Sequence, residues 1–303
     1  MRWSSLIAIA ALPLIAKGQS LRFVDQSPMA FGAQPHYTRM VVWKGDTLSF
    51  VPEHGAAPNI RWMNRRGEEE TPVAFALPGS ADIWLEDAAR GSDGITAVVG
   101  SASYAGGQEG GFLSVISAGR QSTIQLQPYR PYRVVFASNG SIWTLGSDDT
   151  NDKGALIRQF DRNGKLISSH LPGSTVSKLP DFSVGDIPAS LFATAQGRVG
   201  WYAPQARRYF ELSSDGALTQ YEGVPNHQAG ALALTDAGAT IVSSGSIDGH
   251  WELWSLDREK RVWSKLDLSE YGPSGYSPLL YGASGNTIAV TVKVGDISFF
   301  EVQ

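Results

Sequence analysis

Six times along the chain an apolar run, a glycine-centred turn and a second apolar run recur in the same order. The turns read VVWKGDTLSF around Gly45, ARGSDGITAVV around Gly94, FASNGSIWTL around Gly140, FATAQGRVGWY around Gly197, LALTDAGATIV around Gly238 and LYGASGNTIAV around Gly285. Their spacing, about 40 to 57 residues, is the length of one four-stranded antiparallel unit. Such a unit cannot bury both of its apolar faces alone, so each must stack on its neighbours.

The repeat continues beyond the turns. Segments with alternating apolar positions follow each pair of runs: NIRWMNRRG (59–67), GFLSVISAG (111–119), ALIRQFDRNG (155–164), RRYFELSSDG (207–216), HWELWSLDRE (250–259) and DISFFEVQ (296–303). Period-two alternation is the mark of a strand with two unlike faces. RNG, SDG and DREK then offer turns into fourth strands, TPVAF, STIQL, KLISSHL, ALTQYE and RVWSKLDL. The sixth unit lacks a fourth strand after it, and SLRFVDQ (20–26) is a candidate to fill that place. The expected fold is all-β, a six-bladed β-propeller whose ring closes when residues 20–26 pair with the C-terminal blade; closure removes unpaired strand edges. The blades are expected at 36–78, 80–127, 132–172, 186–222, 228–268 and 276–303 with 20–26, and the segment HLPGSTVSKLPDFSVGDIP (170–188) as a loop over one face.

Met1 to Gly18 reads as a secretory signal peptide. Arg2 supplies the positive start, LIAIAALPLIA is an apolar stretch of about eleven residues, and Ala16 and Gly18 are small residues before a cut at Gln19. That apolar stretch is too short to span a bilayer, and no second one is longer. Residues 19–303 are then expected as a single propeller domain. Loss of Arg2 and Lys17 takes the formal charge from −4 to −6. The chain has no cysteine, which fits a bacterial periplasmic or secreted protein better than a disulfide-bearing eukaryotic one. Neither a basic stripe nor a Lys/Arg cluster beyond two adjacent pairs is present, so no nucleic-acid partner is expected.

The segments VPNHQAGALALTDAGATIVSS (224–244), YRPYRVVFASNGSIWTLGS (129–147) and ALIRQFDRNGKLI (155–167) share a rhythm: a proline, a gap, an apolar strand, an Asn/Asp/Ser-Gly turn and another strand. In this the chain resembles the six-bladed propellers of the NHL, TolB-like and gluconolactonase/regucalcin type. The resemblance covers most of residues 19–303 and implies fold rather than activity. Its lactonase branch would imply a divalent cation held in the channel by Glu, Asn and Asp, with the Glu in a Gly-Glu-Gly-Pro-x-Trp motif. Here the stretch is Gly32-Ala33-Gln34-Pro35-His36-Tyr37, without the Glu.

In a propeller, the segments leading into the innermost strands border the central channel. Those segments carry His36, Tyr37, Asp82, Tyr129, Arg130, Tyr132, Arg133, Asp186, Asn226, His227 and Tyr276. Arginines fork onto carboxylates and histidines titrate near neutrality, so a channel mouth built from these residues suits a protein, peptide or small-molecule ligand. No metal site or cofactor is expected. The five histidines show no ligand spacing, and the calcium-like loop Asp148–Gly154 has Lys153 and Phe160 where a calcium loop places ligands. There is no G-x-S-x-G elbow and no P-loop. Trp62, Trp143, Trp201, Trp251, Trp254 and Trp263 fall in strand patterns and read as blade packing, leaving Trp84 beside Asp82 as the one to watch. The expected function is a non-catalytic exported binding scaffold; the alternative is a metal-assisted hydrolase or lactonase using a channel site.

Overall fold

The computed structural model describes residues 19–28, 38–44, 47–52, 58–137, 139–148, 155–172, 191–203, 207–225, 228–245, 250–272, 278–293 and 295–303. Among these residues the only regular elements are strands. β1 (Leu21–Pro28) comes first. Six successive groups follow: β2 (Thr38–Lys44), β3 (Thr47–Pro52), β4 (Asn59–Asn64) and β5 (Val73–Ala74); β6 (Ser80–Arg90), β7 (Thr96–Tyr104), β8 (Glu109–Ser117) and β9 (Arg120–Gln125); β10 (Tyr129–Phe136), β11 (Ile142–Asp148), β12 (Ala155–Phe160) and β13 (Leu166–Pro172); β14 (Leu191–Ala193), β15 (Val199–Ala203), β16 (Arg208–Leu212) and β17 (Leu218–Glu222); β18 (Gln228–Leu234), β19 (Thr240–Gly245), β20 (Trp251–Asp257) and β21 (Val262–Leu266); and β22 (Leu279–Ser284), β23 (Thr287–Lys293) and β24 (Asp296–Val302).

The middle four groups are separate four-stranded antiparallel sheets in chain order. The first and last groups form one eight-stranded sheet, β1-β24-β23-β22-β2-β3-β4-β5, whose halves join where β22 and β2 pair in parallel at Trp43↔Gly282 and Lys44↔Ala283. β1 pairs antiparallel with β24, from Leu21↔Val302 to Pro28↔Asp296, so the segment expected to supply the missing fourth strand lies beside the last one. Ser20 and Gln303 extend that ladder by exchanging backbone hydrogen bonds of 3.3 and 3.0 Å.

Alternation along each strand explains the core. Phe112 packs toward β3 and β4, while its neighbour Leu113 packs toward β10 and β11. Leu191 faces β11 and β12, and Phe192 faces β18 and β19. Six apolar clusters result, each lying between one four-stranded group and the next, and the sixth joins β23 and β24 to β2, β3 and β4 through Trp43, Leu48, Met63, Ile297 and Phe299. The first strands also neighbour one another in sequence, β2 beside β6, then β10, β14, β18 and β22, with β22 back on β2. Stacked four-stranded sheets in this arrangement fit the β-propeller type.

Four of the repeated turns share one construction, while the turn at Gly285 is a two-residue link between the paired Ser284 and Thr287. In the turn after β14, the Thr194 N–H donates to Arg198 O at 2.9 Å and the Gly197 N–H to Thr194 O at 3.0 Å, with Gly197 at φ +77°. That is a type I turn closed by a left-handed residue, a position that favours glycine. The same pair of bonds closes the turns at Gly94, Gly140 and Gly238. The turn expected at Gly45 lies outside the described residues, as do residues 1–18, 149–154 and 173–190.

Two expectations need correction. The third group begins at Tyr129, not residue 132, because Tyr129 is a core residue: it is fully buried, and its hydroxyl donates to Leu156 O at 2.9 Å and lies 3.0 Å from Thr144 Oγ1. Tyr129 therefore does not line a channel. In the turn after DREK, the left-handed residue is Arg261, at φ +58°, not Asn, Asp or Gly. Of the strand tryptophans, Trp62, Trp143 and Trp201 are buried, whereas Trp251, Trp254 and Trp263 are half-buried.

Candidate functional site

The first strands of the six groups line the middle of the molecule, and their sequences are unlike. β2 (TRMVVWK), β6 (SADIWLEDAAR) and β10 (YRPYRVVF) carry every charged residue found on these strands; β14 (LFA), β18 (QAGALAL) and β22 (LLYGAS) carry none. Charge inside a short apolar strand is costly unless it is paired and hydrogen-bonded, so its placement on three neighbouring strands marks a polar arc.

At the floor of the arc three strands meet on one ion pair. Lys44 Nζ at the end of β2 donates to Asp87 Oδ2 on β6 at 2.7 Å and to Val134 O on β10 at 2.7 Å. The Val134 N–H donates to the same Asp87 Oδ2 at 2.9 Å, and the Ala88 N–H to Asp87 Oδ1 at 2.9 Å. The Lys44 side chain is 6% exposed and that of Asp87 0%. Val134 lies on the edge of its sheet that faces no partner strand, so its N–H and C=O would otherwise be unpaired in the interior. A register shift between Leu85 and Asp87 turns the carboxylate toward both neighbours. Burial pushes the Lys44 ammonium below its ordinary pKa; the charge and hydrogen bond of Asp87 oppose this, and the charge of Arg133 adds to it.

Above this floor Asp82 stands near the start of β6, and Arg130, Tyr132 and Arg133 stand in the first half of the neighbouring β10. Asp82 pairs with Ser103, Ser103 with Glu109, and the Glu109 carboxylate lies 3.4 Å from Arg130 Nη2. Arg130 pairs in turn with Ser147, whose Oγ is 2.9 Å from the Tyr132 hydroxyl. Arg133 lies deeper, close enough for its charge to act on Lys44, and donates to Tyr132 O at 2.6 Å. All four stand within the strands themselves, not in the segments leading into them, and all are half-buried, as is Trp84. His36, Tyr37, Asp186, Asn226, His227 and Tyr276 lie outside the described residues. Lys44, Asp87 and Glu109 escaped the sequence reading; for Lys44 and Asp87 the available signal was a charge inside an apolar run, as in VVWK and WLEDAA, and Glu109, set among glycines, offered none.

A second buried charge cluster lies away from the arc. Glu211 Oε2 on β16 accepts from Arg198 Nη1 at 3.1 Å, Arg258 Nη2 at 2.8 Å and the Tyr209 hydroxyl at 2.7 Å. It ties β16 to the end of β20 in the next sheet. Burial alone would raise the Glu211 carboxyl, but the charge and hydrogen bond of Arg258, the hydrogen bond of Tyr209 and the charge of Arg198 together hold it below its ordinary value. Every group in this cluster is partnered within it, so it offers a ligand little. Among the described residues no three His, Asp or Glu side chains are placed to hold a metal ion.

Four-stranded sheets stacked about a polar central arc define a protein of the β-propeller type, and comparison with solved structures agrees. Virginiamycin B lyase from Staphylococcus aureus is 12% identical, with 94% of this chain and 99% of that one covered at a TM-score of 0.50. A protein of unknown function from Bacteroides caccae is 14% identical over 81% and 82% of the two chains, with a TM-score of 0.53. TolB from Acinetobacter baumannii is 13% identical over 86% and 66%, with a TM-score of 0.51. At these identities the likeness is one of fold. No family model matches the sequence, and no curated protein matches it.

Proposed function

We propose that this chain is an exported, non-catalytic propeller scaffold that takes a protein, peptide or small-molecule ligand at the mouth of its channel. In this reading residues 1–18 are removed as a signal peptide, residues 19–303 form one domain of six blades, and β1 on β24 closes the ring in the periplasm or outside the cell. The cycle of six apolar clusters and the β1–β24 ladder support the ring. The leader's charge, length and small residues support export.

The observation that supports the binding site is that Asp82 on β6 and Arg130, Tyr132 and Arg133 on the neighbouring β10 share the charged half of the wall with the Lys44–Asp87 ion pair. Acid, base and phenol on neighbouring strands can recognise a polar ligand by direct hydrogen bonds, on strands stiff enough to hold them in place. The test is capture from envelope extract by the wild type and by Arg130→Ala/Tyr132→Ala, two half-buried residues whose loss should leave the melting temperature nearly unchanged. A ligand held by the wild type and lost from the variant supports the reading. Equal capture by both proteins removes the arc as the site.

A further inference from the structure

We propose that Gln19, exposed as the first residue when the leader is cut after Gly18, cyclises to pyroglutamate and so caps the strand that joins the two ends of the chain. The proposal rests on the export reading above and on two observations of its own. The Ser20–Gln303 hydrogen-bond pair fixes the backbone beside Gln19, so the new terminus begins where the β1–β24 ladder begins. The Gln19 side chain reaches across to the neighbouring sheet, where its Oε1 accepts a hydrogen bond from Ser255 Oγ on β20, a residue only 5% exposed.

The chemistry balances within the residue. The Gln19 α-amine attacks its own Cδ; the N–Cδ bond forms, the Cδ–Nε2 bond breaks, and ammonia leaves with the proton given up by the amine. Negative charge gathers on Oε1 during the attack, and that is the atom on which the Ser255 hydroxyl donates, so Ser255 is a positioning and polarising residue for the step. The product keeps the carbonyl oxygen as an acceptor for Ser255. It replaces the terminal ammonium with a neutral lactam, removing that charge from the start of the joining strand. It also denies aminopeptidases a free amine, and thereby protects Ser20 and Leu21, the first residues of the joining strand.

The experiment is mass analysis of the N-terminal peptide from the full chain, exported with its own leader in a bacterial host, at intervals after synthesis. The expected peptide starts at residue 19 and is lighter by one ammonia than its glutamine form. Ser255→Ala should accumulate this product several-fold more slowly, and Ser255→Thr, which keeps the hydroxyl, should restore the rate. A stable Gln19 with a free amine overturns the proposal and leaves the export reading standing. A different first residue overturns the assigned cut and the proposal with it. Cyclisation of Ser255→Ala at the wild-type rate overturns the role of Ser255.

Discussion

The two halves of the central wall solve one problem differently. A first strand turns one edge toward the middle of the molecule, and its backbone groups there need partners or close neighbours. On β2, β6 and β10 side chains supply them: Asp87 accepts from the Val134 N–H and Lys44 donates to the Val134 carbonyl. On β14, β18 and β22 small residues let backbones come close. A Cβ on Gly282 would sit 2.3 Å from Trp43 O and 2.7 Å from the Phe192 ring, and the φ of +144° there suits only glycine. The charge-free half carries its buried ions further out, at Glu211. Among the described residues, the first strands in one half of the wall thereby keep their charges, and those in the other half carry none.

The sharpest way to break this contrast is Asp87→Ala. It strands a buried ammonium and unpairs the Val134 N–H, and should cost about 3–5 kcal/mol in urea unfolding. The double variant Lys44→Met/Asp87→Leu should recover the part of that loss due to the stranded ammonium but not the part due to Val134, whose N–H and C=O stay unpaired; no recovery at all would mean the stranded charge is not the main cost. In the charge-free half, Gly282→Ala should cost about 3 kcal/mol through overlap with Trp43 and Phe192, and unchanged stability would show that the close approach is not a constraint. Glu211→Gln should cost about 2 kcal/mol at neutral pH. Because the Glu211 carboxyl is held low, its contribution is present above the ordinary value of 4.5 and fades as pH falls through the lowered one. Melting curves of wild type and Glu211→Gln should therefore converge in acid; a constant gap would contradict the assignment. Arg61→Ala, which removes an exposed pair with Glu69, should change stability by about 0.5 kcal/mol or less.

Much of this fold was legible because its signals are local. Glycine turns and two-residue alternation are properties of a few neighbouring residues, and they located β6 to β9 and β22 to β24 closely. The partner of β24 was legible by elimination, since one strand was missing at one end of the chain and one was spare at the other. The departures arise where tertiary contacts decide. Tyr129 looked like a loop residue until Thr144 and Leu156 O appeared as partners of its hydroxyl, and Arg261 adopts a left-handed φ that its side chain does not advertise. The floor of the candidate site was least legible. Lys44 and Asp87 are 43 residues apart, and their meeting depends on how two sheets stack, which no local pattern encodes.

Joining of the two ends in one sheet is the claim on which the proposed ring stands. The chain has no cysteine, so Arg22→Cys/Glu301→Cys, placed at facing positions of β1 and β24, reports on it without background. Paired residues in adjacent strands lie within disulfide reach. Mild oxidation should give a monomer cross-linked within itself, migrating faster on a denaturing gel without reductant and returning to normal mobility with it. Thiols that stay free, or that link only between molecules, would contradict the closed arrangement.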